Sequence, residues 1–178
     1  MNILETLADT FESFHEGGEK PPLHIGEAMN LWFYLSATEQ TLRGEQVSRN
    51  TVRDADLKAK LEDVIRNVHT PIRDELRAFL QAEGVALPQI TPEKAAGEFR
   101  DIPEDAKLND EEVANLVSFN IVLGVTYACR GMTEAVRPDV AEMFARFQMK
   151  KMAFAVRLRQ MLLKKGLLLV PPYIRPGQ

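Results

Sequence analysis

The sequence predicts an all-α protein: four long helices paired as two antiparallel hairpins and joined by one long crossover. Three observations carry this reading. Apolar residues recur at three- and four-residue spacing over four long stretches. The links after the first and third stretches are short, whereas the link after the second, residues 85–108, is long and holds Pro88, Pro92, Gly97 and Pro103. A chain of 178 residues that is 45% apolar and 27% charged has material for one domain with a sizeable core.

Residues 2–14 place Ile3, Leu4, Leu7, Phe11 and Phe14 at helical spacing opposite Glu5, Asp9 and Glu12. An isolated helix this short is unstable in water, so its apolar stripe must dock on its own domain, a second copy or another protein. Gly17, Gly18, Pro21 and Pro22 then form a hinge with a stiff end. The first long helix runs from about Leu23 to Ser48, with Ala28, Leu31, Trp32, Leu35, Leu42 and Gln46 on one face and Glu39 in the same stripe. His24 and Glu27 read as a helix start in which Glu27 reaches back to free amides. The second helix, about Asp54 to Glu83, carries Leu57, Leu61, Val64, Val68, Ile72, Leu76 and Phe79, and Gly84 is its stop. Pro71 within it predicts a kink, or two abutting helices with Pro71 in a first turn.

Asn109 or Asp110 caps the third helix, with Glu111 and Glu112 in its first turn. Its expected core face is Val113, Leu116, Val117, Leu123 and Tyr127, and Gly124, Ala128 and Gly131 permit close approach of a neighbour. Pro138 opens the fourth helix, whose stripe is Val140, Phe144, Phe147, Phe154, Leu158 and Leu162 and whose stop is Lys164, Lys165 and Gly166. A long helix here is roughly 40 Å, and the crossover reaches ~80 Å when extended, so it can travel the length of the bundle. One short, one long and one short connection describe a ferritin-like four-helix bundle. The expected organisation is residues 1–22 as amphipathic helix and hinge, 23–166 as bundle, and 167–178 as an apolar, Pro-containing tail that lies along the bundle or across a subunit contact.

A di-metal centre in such a bundle requires a Glu from each of two helices and a Glu-x-x-His pair from each of the other two. The chain has only His15, His24 and His69, and its one Glu-x-x-His, Glu12 to His15, precedes the bundle. The ligand count fails. A degenerate metal site would use Glu27, Glu39, His69 and Glu134. The competing structural reading pairs Glu39 with Arg43 or Arg66 and Lys151 with Glu134 or another carboxylate, since a buried carboxylate is costly unless paired. Cys129 reads as packing, and the lysines at 150–151 and 164–165 read as solvated faces. Phosphate loops, nucleophile elbows and zinc-finger spacings do not occur.

A net charge of −4 and a pI near 5.5 argue against non-specific nucleic-acid binding. One cysteine fits a reducing compartment, hence a cytoplasmic protein. No apolar run approaches the roughly 20 residues of a bilayer span, so no membrane span is expected.

Three stretches carry a family resemblance: Pro22 to Glu27 running to Leu31-Trp32; Asp101-Ile102-Pro103 with Asn109 to Asn115; and Phe144, Phe147 to Lys151, closing with Lys165-Gly166 and Pro171-Pro172. Together they resemble a spore-coat-protein-like family of spore-forming Gram-positive bacteria. The resemblance implies a ferritin-like bundle, spore association and spore-coat components as partners, and supplies no catalytic residues. Some family members hold two copies of the domain, so a single copy implies a homodimer or pairing with another helical protein. The resulting expectation is a non-enzymatic interaction protein without a cofactor, using the N-terminal helix and the Leu167–Ile174 tail as contact elements. The alternatives are a metal-binding protein and an apolar small-molecule binder.

Overall fold

The computed structural model describes residues 20–97 and 102–174, with Asn2, Glu5, Thr6, Asp9 and Glu12. Glu5, Thr6, Asp9 and Glu12 are helical, whereas the apolar stripe of the N-terminal helix, most of the hinge, and residues 175–178 lie outside the described residues. Among the described residues all regular structure is helical.

Helix α1 spans Ile25–Thr51. His24 is its cap: the imidazole Nδ1 accepts from the Gly26 and Glu27 amides at 3.0 and 3.3 Å, and Glu27 accepts in return from the His24 amide at 3.2 Å. This confirms the helix start with the histidine as the capping side chain itself. Helix α2, Ala55–Val64, is capped by Asp54 and runs through a π turn, Ile65–His69, into α3, Thr70–Ala82. Pro71 explains the π turn. In a continuous α-helix its ring would strike the carbonyl four residues back. Instead the Thr70 amide reaches the Ile65 carbonyl, which places one extra residue in the turn. That residue also rotates the buried face. Leu57, Leu61, Val64, Val68, Ile72 and Leu76 are in the core as expected, but the next core position is Leu80, and Phe79 is only half-buried. Gly84 ends the helix in the left-handed conformation, φ 71°.

The crossover climbs α1. Trp32 Nε1 donates to the Ala86 carbonyl at 3.0 Å, Arg43 to Thr91 at 2.9 Å and Asn50 to Ala95 at 2.8 Å, while the Lys94 amide donates to Gln46. The crossover therefore starts beside the beginning of α1 and finishes beside its end, as the connection lengths predict. Helix α4, Asp110–Glu134, starts there, with a capping box between Asn109 and Glu112. The Asp110 carboxylate accepts from the Arg53 and Asp54 amides at 2.8 Å each. Helix α5, Pro138–Lys165, returns beside it and stops at Gly166, φ 69°. The tail stays on the bundle for its first residues: Asn115 bonds the Leu167 carbonyl and the Leu169 amide at 2.9 Å each, and Tyr173 and Ile174 are fully open to solvent.

The α4–α5 packing departs from expectation in one respect. The whole predicted stripe of α5 is buried, but the inward face of α4 is Val113, Ala114, Val117, Ile121, Gly124, Ala128 and Gly131. Leu116, Leu123 and Tyr127, expected in the core, face outward. Small residues face α5 because its large aromatic side chains need the space. A Cβ at position 131 would lie 2.6 Å from the Phe144 ring, and that ring stands edge-on to Tyr34 at 5.5 Å. Gly131→Ala is therefore expected to destabilise the fold by about 1–3 kcal/mol, the usual cost of overpacking, despite alanine's higher helix propensity; urea denaturation checks this.

Candidate functional site

The α5 stripe reads Phe144, Phe147, Lys151, Phe154, Leu158, so its helical phase puts Lys151 in the core rather than on the solvated face. Its residue exposure is 4%. Gly124 of α4 lies directly opposite, where a Cβ would collide with the lysine side chain. The ammonium Nζ lies 4.8 Å from the centre of the Tyr34 ring, a cation–π distance. The Tyr34 hydroxyl donates to the Gly124 carbonyl at 3.1 Å, so one tyrosine of α1 both faces the lysine and ties down the glycine that admits it. Burial pushes the Lys151 ammonium down to about 8, and the negative charge of Glu45 opposes that shift. Burial also pushes the Tyr34 phenol upward, so it stays protonated.

Behind the lysine is a second buried pair. Extra backbone in the π turn carries His69 to full burial, where Nδ1 lies 2.8 Å from Glu45 Oε2. Among the described residues, Glu45 Oε1 and His69 Nε2 have no hydrogen-bond partner. A groove of about 530 Å³ opens between α1 and α4 with Lys151 on its lining; Met29, Phe33, Leu123 and Tyr127 provide apolar wall, and Thr38, Thr41 and Asn120 polar wall.

The four candidate metal ligands are not brought together. Glu27 accepts from the Val136 and Arg137 amides at 2.8 and 2.7 Å, at the start of α5. Glu39 pairs with Arg43 at 3.1 Å, as the competing reading has it, and with Arg77 at 3.3 Å. His69 faces Glu45. Glu134 sits on the surface, held low by hydrogen bonds from Asn30 and Arg130. Among the described residues no three metal-ligating side chains converge. The carboxylate whose charge acts on Lys151 is Glu45, one of the alternatives to Glu134 that the pairing left open. Sequence reasoning missed Glu45 and Tyr34 and misplaced Lys151, although its phase with Phe144, Phe147 and Phe154 was visible.

The outer surface of α4 is the other unusual feature. Leu116, Phe119, Val122, Leu123 and Tyr127 are exposed, Phe119 at 60%. By length and composition alone the region 104–134 is apolar enough to cross a membrane, a property that core helices share. Within the bundle its inward side packs on α1 and α5.

The chain matches the family described as "Protein of unknown function (DUF3231)" over residues 12–178. It belongs to that family. It is 33% identical over 151 residues to the uncharacterized protein YvdQ of Bacillus subtilis (strain 168), covering 85% of this chain and 88% of the relative. A Bacillus halodurans C-125 crystal structure described as a "putative spore coat protein" superposes with a TM-score of 0.83 at 31% identity, covering 87% of this chain and 97% of the other. These matches bear out the resemblance read from the sequence. A conserved hypothetical protein, rv2844, of Mycobacterium tuberculosis shares the fold at 18% identity and a TM-score of 0.62, covering 79% and 100% of the two chains.

Lys151 gives the site a pH signature. Its folded-state pKa lies below the ordinary lysine value of 10.5, so between about pH 8 and 10.5 the unfolded chain binds more protons and stability rises with pH. Relative to Lys151→Met, the wild-type chain is expected to gain stability of order 3 kcal/mol between pH 7 and 10.5. Paired denaturant titrations at the two pH values measure it.

Proposed function

We propose that this DUF3231 protein is a non-catalytic, ferritin-like helical module that pairs with a second copy of itself through the outer face of α4. The observation that carries the reading is that α4 is apolar around its circumference, while the bundle covers only its inward half. A helix apolar on all sides is ordinarily buried on all sides, and a large exposed apolar patch marks an interaction surface. Paired domains in the resembling family supply the reason for choosing a second copy as the occupant.

The non-catalytic part of the proposal rests on the partners already engaged by the chain's carboxylates. Glu27 caps two helices, Glu39 neutralises two arginines, and Glu83 and Asp139 clamp Arg137 at 2.8 Å each. The likeness to the Bacillus halodurans protein and the single cysteine support a cytoplasmic, spore-linked setting, with spore-coat components as further partners. The open end of the tail, Tyr173 and Ile174, would extend the contact surface.

Light scattering on the full chain at micromolar concentration is expected to give about twice the 20.1 kDa chain mass. Phe119→Asp is expected to return the chain to one copy with an unchanged helical spectrum. Both copies lose the phenylalanine, at about 1.5–3 kcal/mol each, so the dimer is weakened by roughly a hundredfold or more. A wild-type chain that stays at single-copy mass would overturn the reading.

A further inference from the structure

The groove between α1 and α4 ends on the Lys151 ammonium, the charged end of a side chain otherwise packed in the core. An ammonium has three donors. Among the described residues Lys151 Nζ has the face of Tyr34 and the charge of Glu45 near it, but no hydrogen-bond acceptor. Glu45 is itself drawn toward His69 at 2.8 Å. We infer that the groove binds a single-chain amphiphile with a carboxylate head, the head on the Lys151 ammonium and the chain along Met29, Phe33, Leu123 and Tyr127.

Each part of the site fits that ligand class. The volume, about 530 Å³, falls within the range of roughly 300–1,000 Å³ typical of small-molecule sites. The apolar wall residues Met29, Phe33, Leu123 and Tyr127 are partly exposed and accessible from solvent. The head site is built rather than adventitious, because Gly124 creates the space in which the lysine lies and Tyr34 fixes that glycine. A carboxylate accepts the ammonium's hydrogen bonds and supplies the countercharge that burial makes scarce. An alcohol or hydrocarbon of equal length would fill the same wall and leave the cation unsatisfied. Leu123 and Tyr127 belong both to the groove wall and to the outer face of α4, whereas Phe119 belongs to the outer face alone.

Protonation sets the pH range. The groups facing Lys151 are Tyr34 and Glu45 from α1 and, behind Glu45, His69 from the π turn; Arg130 of α4 lines the mouth. Tyr34 stays neutral because burial raises its pKa, and arginine stays charged, so loss of the Lys151 proton dominates above about pH 8. Carboxylate affinity is therefore expected to be nearly constant up to pH 7 and to fall about tenfold by pH 9.

The test compares dodecanoate with dodecan-1-ol by calorimetry on the full chain. Dodecanoate is expected to bind one per chain and at least ~tenfold tighter than the alcohol, as a charge-assisted hydrogen bond implies. In Lys151→Met, which keeps the length and removes the charge, that preference should vanish while the alcohol still binds. Leu123→Asp, on the exposed wall, should weaken both ligands, and Phe119→Asp should weaken neither, even where it abolishes pairing. Equal affinity for the two ligands, a preference that survives in Lys151→Met, or no dodecanoate binding would each overturn the inference.

Discussion

One buried carboxylate holds the start of the bundle together. Glu27 is 1% exposed and uses both oxygens on main-chain amides: one closes the capping box of α1, and the other receives the Val136 and Arg137 amides just ahead of α5. Helix starts carry free N–H groups and partial positive charge, so two starts side by side would repel without an anion between them. Glu27 supplies that anion and fixes the two helices in parallel at the same level. Arg137 follows at once, gripping Glu83 from the end of α3 and Asp139 from α5, and Lys20 adds to Asp139 at 3.1 Å. The Asp139 carboxyl is drawn down to about 2, first by Arg137. Three helices are thus registered at one end, and Asp54, Asp110 and Lys165 register three at the other.

Local signals in the sequence were sufficient for most of the frame. Capping residues, stop glycines, Pro71 and the unequal link lengths are short-range features, and each acts where it stands. Rotation of α4 was not legible, because an apolar residue on both sides of a helix gives periodicity no phase to find. Gly124, Ala128 and Gly131 held the answer: the core side is where small residues line up, since the partner helix brings the bulk. The shift from Phe79 to Leu80 failed for a different reason. A π turn adds a residue without leaving a mark in the hydrophobic spacing, and only the proline two residues later betrays it. Site residues failed where charge was equated with surface. Lys151 sits in a run of phenylalanines, and phase was a better guide to its position than polarity.

The interior therefore combines two kinds of material. Around Leu31, Leu35, Ile72 and Leu158 it is dry and fully apolar. Elsewhere Tyr34, Glu45, His69 and Lys151 bring ionisable groups into the interior from three different elements. A charge placed there opposes folding unless it is compensated, and among the described residues Glu45 Oε1 and His69 Nε2 lack partners.

The crossover has a consequence for how the chain can change over time. Trp32, Arg43 and Asn50 hold it by carbonyl oxygens at 86, 91 and 95, and Gln46 by the amide at 94. Every residue type presents the same carbonyl. The recognition code for the strap is therefore written on α1 and not on the strap: its wording is free to drift while its length and its docking side chains stay fixed.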